Sequence, residues 1–71
     1  MNGLLLKQQF VGMIHATYNS AQQNWNISIA GKPEIVAVYD PGLECTKFTT
    51  NRLWTNEEME ELKTLRAKCS R

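Results

Sequence analysis

The side chains best suited to covalent or acid–base chemistry in this chain are one histidine, His15, and two cysteines, Cys45 and Cys69. A thiol beside an imidazole is a common catalytic nucleophile, but the two groups must meet in space. No acid or nucleophile neighbours His15 in the sequence, and no glycine-rich phosphate loop, metal-ligand cluster or Ser-His-Asp arrangement is recognisable. The sequence therefore predicts a non-enzymatic protein without cofactor or metal. An enzyme would require the fold to bring His15 and Cys45 together.

The two cysteines and the N-terminal residues bear on the compartment. Two isolated cysteines are too few for a zinc site or a disulfide framework, which favours reduced thiols. The opening "MNGLLLK" has no basic residue before its leucines, and the apolar run is too short for a signal peptide or a membrane span. We therefore expect a cytoplasmic protein with no membrane partner.

Length and charge limit the function further. A chain of 71 residues predicts a single domain over residues 1–71, and so small a domain has a marginal core that a partner can reinforce. Eight Lys and Arg stand against seven Asp and Glu, a formal net charge of +1. So weak a net charge argues against nonspecific nucleic-acid binding.

The first predicted secondary-structure element covers residues 4–24, which have an amphipathic pattern and include His15. A helical period groups its apolar side chains better than strand alternation does, and it predicts a first helix. The predicted apolar side comprises Leu6, Phe10, Met13, Ile14, Thr17 and Ala21, flanked by Val11 and Tyr18. Gly12 weakens a helix, so a β-hairpin through "FVGMIHATYN" remains the alternative.

Three strand patterns follow the predicted helix. Trp25, Ile27 and Ile29 alternate with polar residues, residues 35–39 are continuously apolar, and "ECTKFTT" is β-branched and aromatic. The sequence "DPGL" between the second and third predicted strands is typical of a type II turn, with positive φ at Gly42. Short connections predict an antiparallel meander with "IVAVY" as its central strand.

The last segment carries the signals of a well-capped helix. Thr55 and Glu58 have the spacing of a capping box. Acidic residues lie near the start of the predicted helix and basic residues near its end, where each charge is favourable to the helix dipole. The whole order predicts an α+β fold of the form αβββα. With both helices on one face of the sheet, either Val36 and Val38 or the alternate apolar residues of that strand would face water.

These observations favour a small interaction protein that acts by protein–protein contact, as a homodimer or on a larger partner, like accessory or regulatory factors of phages and plasmids. The predicted interface residues are Val36, Val38, Phe10, Tyr18 and Gln22. The alternative is a nucleic-acid-binding regulator, including a DNA-binding one, that uses the basic end of the last helix: Lys63, Arg66, Lys68 and Arg71.

Overall fold

The computed structural model describes residues 7–69, and these form one antiparallel β-sheet followed by one helix. The elements are β1 (Gln8–Val11), β2 (Ile14–Asn19), β3 (Asn24–Ile29), β4 (Ile35–Asp40), β5 (Cys45–Phe48) and α1 (Asn56–Cys69). The strands lie in the order β1-β2-β3-β4-β5, and each pairs antiparallel with the next. The α+β class is correct, but the predicted αβββα order is wrong.

The predicted first helix is a β-hairpin, which was the alternative interpretation of the same residues. Gly12 has a φ of +58° at the turn between β1 and β2, a conformation that suits glycine and ends any helix. The hairpin is extended by the Tyr18 amide, which donates to the Lys7 carbonyl at 2.8 Å. The part of the predicted helix before residue 7 lies outside the described residues.

A second turn separates β2 from β3 inside the segment that was predicted to be helical. The Asn19 side-chain oxygen accepts from the amides of Ala21 and Gln22 at 3.1 and 3.3 Å, and Gln23 takes a φ of +58°. Such local side-chain bonds compete with helical hydrogen bonds. With two extra strands before it, the "IVAVY" segment becomes β4, and β3 is the central strand instead.

One face of the sheet carries the core, and we call it the covered face. It presents Ile14 and Ala16 of β2, Trp25, Ile27 and Ile29 of β3, and Ala37 and Tyr39 of β4. Leu62, Leu65 and Cys69 of α1 are buried in the same cluster. Because these three recur at helical spacing, one stripe of α1 faces the sheet.

A β-bulge in β4 changes the predicted alternation of its side chains. Ser28 pairs with Ile35 while Ile27 pairs with Ala37, so Val36 is an extra residue in the strand. Val36 is 2% exposed, whereas Val38 pairs with Asn26 and is half-buried. The prediction that Val36 and Val38 share a face is therefore wrong, because the bulge shifts the alternation between them.

The connection between β4 and β5 also differs from the predicted type II turn. Positive φ occurs at Glu44, at +52°, and not at Gly42. The Asp40 side chain stabilises the turn by accepting from the amides of Gly42 and Leu43, at 2.9 and 3.2 Å. This local bonding by aspartate removes the need for a left-handed glycine at position 42.

The capping box of α1 is confirmed. The Glu58 amide donates to the Thr55 hydroxyl at 3.0 Å, and the Thr55 amide donates to the Glu58 carboxylate at 2.9 Å. The Arg52 guanidinium also holds that carboxylate, with an N–O distance of 3.1 Å. These bonds fix the residue at which the helix begins and hold the preceding segment to its first turn.

Candidate functional site

The face of the sheet opposite α1 is the candidate site, and we call it the open face. Strand pairing arranges its side chains in three rows across the sheet. The first row is Phe10, His15, Ser28 and Ile35, the second is Gln8, Thr17, Asn26, Val38 and Lys47, and the third is Asn19, Asn24, Asp40 and Cys45. Each of these residues is exposed or half-buried, so the row pattern defines a surface and not a second core.

His15 is the centre of a hydrogen-bonded cluster on the open face. Its Nδ1 lies 3.2 Å from the Ser28 hydroxyl oxygen, and its Nε2 lies 3.1 Å from that of Thr17. A neutral imidazole donates from one nitrogen and accepts at the other, and hydroxyls can serve either role. Both ends of the ring are thus held, which fixes its orientation.

Phe10 stacks on this fixed imidazole ring. The two ring centroids are 5.0 Å apart and the planes differ by 13°. Phe10 nevertheless remains 60% exposed, which makes it the most exposed aromatic side chain among the described residues. The cluster therefore presents a large apolar ring to solvent in a defined orientation.

The Ser28–His15 contact has the geometry from which a nucleophile and base pair is built, yet Thr17 occupies the position where an orienting carboxylate would stand. The pair that an enzyme would require, His15 with Cys45, is not formed. His15 is on β2 and Cys45 on β5, so three strand spacings separate them by at least about 14 Å. Within residues 7–69, no three His, Cys, Asp or Glu side chains are grouped to hold a metal.

Charge is scarce on the open face. Asp40 and Lys47 are its two charged residues, and both lie at the corner formed by β4 and β5. A shallow hollow of about 110 Å³ lies at this corner, lined by Asn24, Val38, Asp40, Leu43, Cys45 and Lys47. The part of the open face contributed by β1, β2 and β3 carries amides, hydroxyls, His15 and Phe10.

Each edge of the sheet has a lysine that bears on further strand pairing. Hydrogen-bonded pairs alternate along β1, so the backbone groups of Phe10 point to the free edge. The Lys68 ammonium of α1 donates to the Phe10 carbonyl there, at 3.3 Å. Lys47 stands inside the four-residue edge strand β5, and an edge lysine discourages pairing with another chain.

The predicted interface residues are distributed over several surfaces. Phe10 and Val38 lie on the open face, whereas Val36 is buried. Tyr18 belongs to the covered side, where it contacts the Trp25 ring edge-on at 5.2 Å. Gln22 is exposed in the turn between β2 and β3. Two of the five therefore share the open face, and three strand spacings separate them.

Two of the four basic residues in the nucleic-acid hypothesis make contacts within the chain. The Arg66 guanidinium lies over the Tyr39 ring at 5.6 Å, and Lys68 is bonded to Phe10. Lys63 is exposed on α1, and Arg71 lies outside the described residues.

His15 was considered in the sequence only as a partner of Cys45, and Thr17, Asn26 and Ser28 were assigned to no site. The signal for the open face was period-two alternation, which the sequence interpretation used for residues 25–29 but not for residues 14–19. In "IHATYN" and "NWNISI", each apolar residue is followed by a polar one, as on strands that have one face in solvent.

No protein-family model, curated protein or solved structure matches this chain. Over residues 7–69, the helix is too short and too polar to cross a bilayer.

Proposed function

We propose that this chain is a small interaction protein whose open face is a docking surface for protein. The observation that carries the proposal is the depletion of charge on the β1–β3 part of that face around an exposed aromatic ring. Interface centres are depleted in Lys, Glu and Asp and enriched in aromatic residues, while charged residues remain at the rim. Asp40 and Lys47 occupy such a rim position.

The His15 cluster supports this role because it prepares Phe10 for binding. A side chain that is ordered before binding loses less conformational entropy when a partner arrives. The imidazole is held at both nitrogens, and Phe10 stacks on it. A rigid aromatic surrounded by adaptable hydroxyls and amides is also the composition that protein-binding surfaces use.

Nucleic acid is the less favoured partner. Binding to a phosphate backbone requires several cations along the path of the strand. The open face offers Lys47, and Arg66 and Lys68 of the basic helix end contact Tyr39 and Phe10 within the chain.

The test is a capture experiment with isosteric variants. Asn26→Asp places a negative charge at the middle of the open face, and Asn56→Asp makes the same chemical change at an exposed position at the start of α1. We expect a protein from an extract of the native cells to be retained by the unmodified chain and by Asn56→Asp, and at least about tenfold less by Asn26→Asp. Equal retention by all three would remove the open face as the docking surface.

The same experiment separates the alternative. A bound partner that is nucleic acid would be released by nuclease and by moderate salt, because phosphate contacts depend steeply on salt. A salt-dependent mobility shift with generic DNA or RNA would support the nucleic-acid hypothesis in place of the one proposed.

A further inference from the structure

We propose that the protein that occupies the open face is a second copy of this chain, placed face to face about a twofold axis. This inference rests on the proposed function and names its partner. It differs from the interface expected from the sequence, which was an apolar patch on the "IVAVY" strand. The contact is instead made by the open face as a whole, centred on β3, and most of its polar residues lie on β1, β2 and β3.

The first argument is that the open face is chemically complementary to itself. Hydroxyls and carboxamides each carry donors and acceptors, so a surface of such groups can hydrogen-bond to an identical surface. Two charged copies would instead repel. The self-complementary side chains are Gln8, Thr17, Asn19, Asn24, Asn26 and Ser28. A twofold contact requires this property, because the same patch is used on both copies.

The second argument is that the fold disfavours the competing way of self-assembly, which is extension of the sheet. At the β1 edge, the Lys68 ammonium already occupies the Phe10 carbonyl. At the β5 edge, an antiparallel pairing centred on Lys47 would place two lysines opposite each other, which is unfavourable. The open face is therefore the surface on which a second sheet can pack, at the usual separation between sheets of about 10 Å.

The third argument concerns size. Five strands at about 4.8 Å spacing and four to six residues at about 3.3 Å rise give a face of roughly 24 by 17 Å, or roughly 400 Å² in projection. Two such faces give roughly 800 Å², which is below the about 1,200 Å² or more that stable specific interfaces bury in total. We therefore expect a weak dimer, with a Kd on the order of 10 µM.

The experiment is analytical ultracentrifugation of the full chain from about 1 to about 300 µM, a range that brackets the expected Kd. The unmodified protein and Asn56→Asp should rise from the 8.1 kDa monomer towards twice that mass. Asn26→Asp should remain monomeric, because Asn26 lies on the central strand and its carboxylates would approach each other across the axis. Circular dichroism verifies that each variant is folded.

A charge-reversal mixture tests the twofold axis directly. Asn26→Asp and Asn26→Lys should each be monomeric, and a mixture of the two should associate, because opposite charges then meet at the position where like charges repelled. If Asn26 variants fail to fold, the exposed pair Gln8→Glu on the open face and Gln22→Glu in the β2–β3 turn replaces them. Gln8→Glu should weaken association and Gln22→Glu should not.

Two outcomes would overturn the proposal. One is a monomer at 300 µM or so, well above the expected Kd; the other is association that Asn26→Asp and Asn56→Asp alter equally. Neither decides the proposed function, since the capture experiment also detects a protein other than this chain. A monomer in solution with an Asn26-sensitive captured protein would assign the open face to that protein, whereas failure of both experiments removes the docking role.

Discussion

The two faces of the sheet are built from the same strands, residue by residue, and they have opposite properties. On β2, Ile14 and Ala16 are fully buried beneath α1, while His15 and Thr17 between and beside them are half-exposed. On β3, Ile27 is fully buried and its neighbour Ser28 bonds to His15 at the surface. Alternation along a strand thus separates the residues that stabilise the fold from those available for binding.

The comparison shows where each face obtains its order. The covered face is ordered by apolar packing against Leu62, Leu65 and Cys69 of α1. The open face is ordered by cross-strand contacts, of which the His15 cluster with Phe10 is the best defined. A change on the covered face should therefore alter stability, and a change on the open face should alter association with little effect on stability.

The largest expected difference is in the reactivity of the two cysteines, since Cys45 lies on the open face and Cys69 lies on α1 against the covered face. Cys45 is exposed, whereas Cys69 is buried and burial raises the pKa of its thiol to about 11. We expect a thiol-specific reagent at pH 8 to modify Cys69 at least about a hundredfold more slowly than Cys45, because Cys69 reacts only after local opening. The Cys45→Ser variant should lose the fast phase. Two fast phases would mean that α1 does not cover this face.

Neighbouring residues on β3 provide the next test. Ile27→Ala should lower the free energy of unfolding by about 3 kcal/mol, because it removes a fully buried side chain and leaves a cavity. Ser28→Ala should lower it by less than about 1 kcal/mol, since it loses one bond to His15 at the surface. Urea denaturation measures both. Similar losses would contradict the assignment of the two faces.

Gly12 tests the hairpin that creates the first two strands. In a helix, Gly12→Ala would stabilise the protein by about 1 kcal/mol. In the hairpin it should destabilise by about 1–2 kcal/mol, because alanine is strained at the φ of +58° and its Cβ would meet the Glu61 carboxylate. The sign of the change in thermal stability decides between the two structures.

The helix cap should have a smaller effect. Thr55→Ala removes the hydroxyl that accepts from the Glu58 amide, and we expect a loss of about 1 kcal/mol. Thr64→Ala, on the exposed side of α1, is the matched control and should change stability by a few tenths at most. An unchanged denaturation midpoint for Thr55→Ala would show that the cap does not stabilise the helix that covers the sheet.

The smallest expected effect is the pH dependence that the cap introduces. The Arg52 side chain, and next the Thr55 amide, lower the pKa of the Glu58 carboxyl. Because the folded pKa is depressed, its stabilisation is present above the unfolded pKa of about 4.3 and disappears as pH falls through the folded value. The difference in stability between the unmodified protein and Glu58→Gln should therefore shrink below pH 4 or so. A stability difference that stays constant from pH 7 to pH 3 would mean that Glu58 stabilises the protein by packing and not by its charge.

The fold was predictable wherever the determining interactions are local. The strand over Trp25 to Ile29, the following apolar strand and the capped final helix all occur where the sequence predicts them. The first third was mispredicted because the turn at Gly12 puts Phe10 on the opposite face of the sheet from Ile14 and Tyr18, so no single strand period runs through the segment. Pairing of β2 with β3 along six residues decides between the two structures, and a periodicity count over one segment does not detect pairing between two strands.

The sequence by itself determined the cap at Thr55, the turn residues at Asp40 and the alternation that makes one side of β2 and of β3 apolar. These depend on neighbours within a few positions of the chain. The tertiary structure alone decided that Val36 is buried by a bulge, that Lys68 reaches the β1 edge, and that Phe10, His15 and Ser28 form one row. Those contacts depend on strand register and on where α1 packs, and both are set by the whole sheet at once.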